Sequence, residues 1–83
     1  MPRYKARKVR IDNKAGTNED VNLTVGEKAV INQWAKNKGV TFTISASTFE
    51  VTGNITPDDF GALKGILKRD NKDEAVGFIE RAP

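Results

Sequence analysis

Short runs of this chain alternate between apolar and polar residues, a period of two that predicts β-strands with one buried face. Residues 8–12 and residues 21–25 both follow this pattern. The apolar positions are Val9, Ile11, Val21, Leu23 and Val25. The polar segment 13–20 between the runs contains Gly16, which suits a turn position with positive φ. The pattern predicts two strands paired as a hairpin around a loop over 13–20.

A helical period begins at Val25. Thr24 and Glu27 have the spacing of a capping box, in which each residue's side chain accepts a hydrogen bond from the other's backbone N–H. The apolar side comprises Val25, Ala29, Val30, Ile31, Trp34 and Ala35, and the polar side comprises Glu27, Lys28, Asn32, Gln33, Lys36 and Asn37. Lysines near the C-terminal end and the following Gly39 are typical of a helix end. We therefore predict a helix over Val25–Lys38, with Trp34 in the core.

Residues 40–52 are rich in β-branched and aromatic residues and predict a second hairpin. The same-side partners expected are Ile44 with Phe49 and Phe42 with Val51. This register leaves Ala46-Ser47 as a two-residue turn, although neither residue favours the positive φ of the common hairpin turns. A longer loop over 45–48 is an equal alternative.

A second helix is predicted from Thr56 as N-cap, with Pro57 at the first helical position and acidic residues in the first turn. Ile55 and Phe60 have the spacing of a hydrophobic staple. The buried stripe expected is Phe60, Leu63, Ile66 and Leu67. A turn over 70–73 and a last strand over 75–80 complete the chain. The whole predicts an α+β fold, two helices packed on a small mostly antiparallel sheet, as a single compact domain over residues 1–83.

Gly61 and Gly65 lie four residues apart inside the second predicted helix, where each costs about 0.8–1 kcal/mol relative to Ala. The favoured interpretation is that another element packs closely against this smooth face. A groove for a ligand or a protein partner is the first alternative, and simple tolerance of glycine is the second.

The sequence lacks the residues that several kinds of catalytic and metal-binding site require. The chain has no Cys and no His, which removes thiolates, the commonest general base and the commonest metal ligand. Asp58 and Asp59 are explained as helix-capping acids, and the acidic segment 70–74 lacks the spacing of a calcium loop. We therefore predict a protein that is not an enzyme, without cofactor or metal. No apolar run approaches about 20 residues, so we expect no membrane segment and a cytoplasmic location.

The formal net charge of +3 is concentrated at one end. Residues 1–10 hold five cations and no acid, so they form a basic N-terminal arm on a nearly neutral body. Such an arm neutralises phosphates, and its tyrosine is able to stack on a base. The nucleic-acid-binding residues predicted are Arg3, Tyr4, Lys5, Arg7, Lys8 and Arg10, extended by Lys28, Lys36 and Lys38 of the first helix. A solvated strand face is the competing interpretation.

The stretches "INQWAKNKGV" and "VTGNITPDDFGAL" together resemble a helix–extended-segment–helix module over about residues 28–67. The pattern is similar to the peripheral subunit-binding domain of acyltransferase complexes and to the C-terminal DNA-binding domain of the actinobacterial nucleoid silencer. The matching residues are Trp34, Ala35, Lys36, Lys38, Gly39, Gly53, Ile55 and Asp59. The resemblance implies an all-helical centre, as an alternative to the hairpin, and binding to a protein or to DNA.

Two functions follow. The first is a small nucleic-acid-binding accessory or regulatory protein that uses the basic arm on DNA or RNA. The second is a protein-binding module, such as a small phage-type inhibitor of a host protein, with Gly61 and Gly65 or the hairpin edge as its contact. The sequence does not indicate an oligomeric state.

Overall fold

The computed structural model describes residues 2–12, 16–73 and 75–81, with Asp12 and Arg81 described by their backbone alone. In chain order the elements are β1 (Arg3–Asp12), β2 (Thr17–Asp20), α1 (Val25–Lys38), β3 (Thr41–Ile44), β4 (Thr48–Thr52), α2 (Pro57–Asp70) and β5 (Val76–Arg81). The five strands form one antiparallel sheet, and both helices pack on it. The predicted α+β class and the two-helix architecture are confirmed.

Strand β1 is the centre of the sheet. One edge pairs with β5 from Lys5 to Arg10. The other edge is shared, since β4 pairs with Arg3–Arg7 and β2 pairs with Val9–Asp12. Lys8 stands at the change of partner: its N–H donates to the Ser47 carbonyl at 2.7 Å, and its carbonyl accepts from Val21 at 3.0 Å. The basic segment expected to form an arm therefore lies inside the sheet as its longest strand.

Both helices cover the same face of the sheet. The even-numbered residues of β1 point to them, as do Phe49 and Val51 of β4, which pair with Ala6 and Tyr4. The buried core comprises Ala6, Leu23, Ile31, Phe49, Val51, Ile55, Phe60, Leu63 and Leu67. The odd-numbered residues of β1 point to the opposite face, on which no helix lies in the described part of the chain. We call this surface the open face.

Helix α1 has the predicted bounds, the Thr24–Glu27 capping box and a left-handed Gly39 at its end, with φ of 70°. Its predicted apolar side is partly wrong. Val25 is 84% exposed, whereas Glu27 is 6% exposed and faces the sheet. The buried positions are Glu27, Ile31 and Ala35, with Val30 and Trp34 packed beside them. The buried side of α1 includes Glu27 in place of Val25, because Lys8 of β1 lies beneath the first turn of the helix and pairs with Glu27.

The first hairpin was predicted with the wrong second strand. Residues 21–24 form the connection to α1, and β2 lies within the segment predicted to be a loop, of which 13–15 are outside the described residues. All four residues of β2 are exposed. A strand solvated on both faces at a sheet edge has no apolar alternation to reveal it. Gly16 has φ of 67°, as the turn prediction required.

The second hairpin has the predicted register, with Ile44 opposite Phe49 and Phe42 opposite Val51. The Ser45 N–H donates to the Thr48 carbonyl at 2.8 Å, which leaves Ala46-Ser47 as the tip. The tip carbonyls accept hydrogen bonds from the N–H groups of Leu23 and Lys8. These two hydrogen bonds hold the tip in place, although neither Ala46 nor Ser47 favours the positive φ of the common hairpin turns. Because the centre is a hairpin, the implied helix–extended–helix arrangement is wrong.

Helix α2 begins as predicted, with Thr56 as N-cap and Pro57 in the first turn, and Thr56 and Asp59 also form a capping box that the sequence analysis did not predict. The interpretation of its glycines as a close contact is wrong, because a Cβ at Gly61 or Gly65 would meet nothing within 4 Å. The close approach occurs instead at Gly53, where an added Cβ would lie 2.7 Å from the Cβ of Val40.

Candidate functional site

The pleat of β1 divides the basic residues into two sets. Arg3, Lys5 and Arg7 project from the open face, and Tyr4, Lys8 and Arg10 project toward the helix layer. The sequence grouped all six because it showed their proximity along the chain and not their direction.

The open-face set forms a row, which we call the basic row: Arg3, Lys5 and Arg7. Successive members are separated by two residues of strand, or about 6.8 Å. In register beside them on β4 lie Thr52, Glu50 and Thr48, and beyond these on β3 lie Thr41 and Thr43. On the side of β4 and β3, the basic row therefore borders four threonine hydroxyl groups and the carboxylate of Glu50.

Two members of the basic row form surface ion pairs. The Arg3 Nε lies 3.5 Å from Glu50 Oε1, and the Arg7 Nη1 lies 3.1 Å from Asp20 Oδ1. Lys5 makes no ion pair with any residue in the described ranges. Exposed ion pairs are weak, typically about 0–1 kcal/mol, so the Arg3 guanidinium remains available to a stronger anion, whereas the Arg7 side chain is 25% exposed and its Nε is buried.

The basic-segment side chains that point toward the helix layer contact other parts of the fold. The Tyr4 ring stacks on Phe60 with centroids 5.3 Å apart, and its hydroxyl donates to the Ile55 carbonyl at 3.4 Å. The face of this ring is therefore occupied. The Arg10 Nη1 donates to Asp73 Oδ2 at 2.7 Å, which ties the strand to the turn after α2.

Lys8 forms a buried ion pair that the sequence analysis missed. Its side chain is 4% exposed, and its Nζ donates to Glu27 Oε1 at 2.6 Å and to the Asn22 carbonyl at 3.4 Å. Burial raises the pKa of Glu27, but hydrogen bonds from Lys8 and Thr24 outweigh it and hold the pKa below its usual value. The sequence did not reveal this pair, because the alternation of Val9 and Ile11 with charged residues indicates that Lys8 lies on the solvent side of its strand.

The lysines of α1 lie away from the basic row. Lys28, Lys36 and Lys38 are exposed on the helix layer, on the other side of the sheet. The Lys38 Nζ lies 3.7 Å from Asp59 Oδ1 and links the end of α1 to the start of α2. The structure therefore brings together three of the nine predicted nucleic-acid contacts, and these α1 lysines are not among the three.

The predicted protein-binding residues, Gly61 and Gly65, are exposed on α2. Lys64 between them donates to Glu80 Oε2 at 2.9 Å and lies 5.5 Å from the centre of the Phe60 ring. The surface there is smooth and carries an ion pair along its border with β5.

Two further observations concern residues 2–12, 16–73 and 75–81. They contain no cluster of three or more acidic side chains that could hold a metal ion. Neither helix is long and apolar enough to cross a bilayer.

Comparison with known proteins gives no relative from which a function can be transferred. No protein-family model, no curated protein and no solved structure matches this chain.

Proposed function

We propose that this protein is a small non-enzymatic accessory or regulatory protein that binds nucleic acid by holding phosphate groups on the open face of its sheet. The observation that supports the proposal is the basic row, in which three cations project in the same direction from a rigid central strand. Strand β1 is paired on both edges at Lys5 and Arg7 and on one edge at Arg3, which positions these side chains more firmly than a free terminal arm would.

The chemistry of the row suits phosphates. A guanidinium group binds phosphate through two parallel hydrogen bonds, whereas Arg7 makes one hydrogen bond to Asp20 and Arg3 only approaches Glu50 to 3.5 Å. A backbone phosphate would displace Glu50 from Arg3 and Asp20 from Arg7, and the threonine hydroxyls of β3 and β4 would donate beside it. Because the row lies on one straight strand, we expect it to follow the backbone of a single nucleic-acid strand.

Specificity for base sequence is not part of the proposal. The described residues of the open face include no aromatic ring, and Tyr4 is stacked in the helix layer. Without a stacking platform, binding rests on phosphate contacts, which carry no sequence information. Three contacts predict a slope of log K against log salt of about −2 to −3.

The test is binding to fluorescent single-stranded and double-stranded DNA and RNA between about 50 and 200 mM salt, the range over which phosphate contacts show. The variant Arg3→Gln/Lys5→Gln/Arg7→Gln should lose binding. The matched control, Lys28→Gln/Lys36→Gln/Lys38→Gln, removes the same charge from the helix layer and should retain it. Thermal unfolding establishes that both variants are folded. Absence of binding at the lowest salt, or equal loss in both variants, would contradict the proposal.

A second candidate function is a protein-binding module, such as a small phage-type inhibitor of a host protein. The supporting observation is that no strand in the described part of the chain pairs with the outer edge of β3, so this edge is able to accept a strand from a partner, and that Phe42 on β3 is 36% exposed. In a pull-down, Phe42→Asp should lose a specifically retained protein that the triple variant of the basic row still retains. The reverse pattern would favour the nucleic-acid proposal.

A further inference from the structure

The outer edge of β3 lacks the features that usually keep a sheet edge from pairing with another chain. Charged residues and prolines are the common devices of this kind. The other outer strands carry charges, with Glu19 and Asp20 on β2 and Glu80 on β5. Strand β3 contains neither a charge nor a proline, and residues 39–49 around it are all uncharged. This edge is therefore open to pairing with an uncharged strand.

The direction of the backbone groups of β3 follows from its pairing with β4. The Ser45 N–H donates to the Thr48 carbonyl at 2.8 Å, so Ser45 is directed toward β4. Backbone N–H and C=O groups alternate in direction along an antiparallel strand, so Thr43 is also directed toward β4, and Phe42 and Ile44 are directed outward. The outward groups have no partner strand in the part of the chain that the structure describes.

One register pairs this edge with a second copy of itself. In an antiparallel pair centred on Thr43, Phe42 lies opposite Ile44 of the second copy, and the two-fold axis repeats the pair. Each outward N–H then meets an outward C=O of the other copy. A register with Phe42 opposite itself places Ile44 opposite Val40, whose N–H already donates to the Ala35 carbonyl at 3.0 Å. The register centred on Thr43 is therefore the one that pairs all the outward groups.

The side chains of β3 suit the same register. Phe42 is 36% exposed on the helix side of the sheet, where it would lie against Ile44 of the second copy. Cross-strand pairs of an aromatic and a β-branched residue are stabilising. On the open face Thr43 meets its own copy without charge repulsion. A foreign strand needs no such self-complementarity, whereas a second copy requires it, so the edge favours a second copy.

We propose that the protein forms a symmetric dimer through β3, in which the two sheets join as one continuous sheet. The edge considered above for a foreign protein is thereby assigned to a second copy of this chain. The two-fold axis of an antiparallel pair is perpendicular to the sheet, so both open faces lie on the same side. The two copies of β1 are then five strand spacings apart, or about 24 Å, and the basic rows run antiparallel on one surface.

The first test is sedimentation equilibrium of the full chain without nucleic acid, at concentrations up to about 1 mM because so small an interface is weak. The measured mass should rise from one chain to two as the concentration increases. Thr43→Lys places two ammonium groups against each other at the axis and should stay monomeric. The matched control Thr17→Lys adds the same charge on β2 and should dimerise as the parent does. Thermal unfolding establishes that both variants are folded.

The second test measures the register. The chain has no Cys, so Thr43→Cys introduces a single thiol. At the axis the two Cα atoms form a non-hydrogen-bonded pair about 4.5 Å apart, a distance that a disulfide spans. Mild oxidation should therefore cross-link this variant. In the same register Thr41→Cys lies about 14 Å along the strand from its own copy and should remain unlinked.

The inference is overturned if the parent protein has the mass of one chain at every concentration. It is also overturned if Thr43→Lys dimerises as the parent does, if Thr17→Lys loses the dimer equally, or if the two thiol variants cross-link to the same extent. Because no nucleic acid is present in either test, none of these results affects the nucleic-acid proposal, whose variants lie on β1.

Discussion

Replacing Gly61 and Gly65 by alanine should stabilise the protein. Both residues lie in the interior of α2, and an added Cβ at either position would meet nothing within 4 Å. The substitution therefore introduces no overlap in the folded state. It removes backbone freedom from the unfolded chain, in which glycine samples more conformations than alanine does.

The size of the gain follows from helix propensity. Alanine is favoured over glycine by about 0.8–1 kcal/mol at each helix position. Summed over the two positions, the gain in the free energy of unfolding is about 1.6–2 kcal/mol. In a domain of this size each kcal/mol moves the melting temperature by about 4–8 °C. The double variant should therefore melt roughly 6–16 °C above the parent protein.

Urea and thermal unfolding followed by circular dichroism measure both quantities. Gly53→Ala is the matched control, because its Cβ would overlap Val40, and it should lower stability by about 1–3 kcal/mol. If the double variant at Gly61 and Gly65 is no more stable than the parent, the conclusion that an added Cβ meets no other atom on this helix face is refuted. Loss of a bound protein partner together with a gain in stability would instead identify the glycine face as a contact surface.

Three further predictions concern charges and caps. Lys8→Met should destabilise the fold by about 3–5 kcal/mol, because Glu27 is left buried without its partner. The double variant Lys8→Met/Glu27→Leu should recover most of this loss. Urea unfolding measures both variants, and a double variant less stable than Lys8→Met would contradict the prediction. Thr56→Ala should cost about 1 kcal/mol in the same assay through loss of the helix cap, and an unchanged midpoint would count against it. Because the pKa values of Glu27, Asp59 and Asp73 are lowered in the folded state, their contribution is present above the unfolded values of about 4 and is lost as the pH falls through the folded ones. Urea midpoints measured from pH 7 to pH 2 should fall in that acidic window, and a flat profile there would disprove the linkage.

Local signals predicted the helices well. Thr24 was identified as a cap from its capping-box spacing with Glu27, and Thr56 from the proline and the acidic residues that follow it, and both residues are N-caps in the structure. The register of the second hairpin followed from the requirement that Phe49 and Val51 share a face with their partners, which also depends on neighbouring residues alone.

Features set by distant contacts were not predictable in the same way. The burial of Glu27 depends on Lys8 lying beneath α1, and β2 exists because β1 offers it an edge. Composition alone could not show that the cations of residues 1–10 point in two directions. That division required knowing which face of β1 the helices cover, and it changed the candidate site from an arm to a row of three residues.

The central position of β1 also has a consequence for how the molecule is made. All three of its partner strands follow it in the sequence, and β5 is the last element of the fold. During synthesis, β1 leaves the ribosome with neither edge paired, and its second edge is covered only after the final strand emerges. Such long-range pairing slows folding and leaves a strand edge open to association with other chains while it waits. The charged residues at alternate positions along β1 then have a second use, since like charges on an unpaired strand oppose its pairing with another copy.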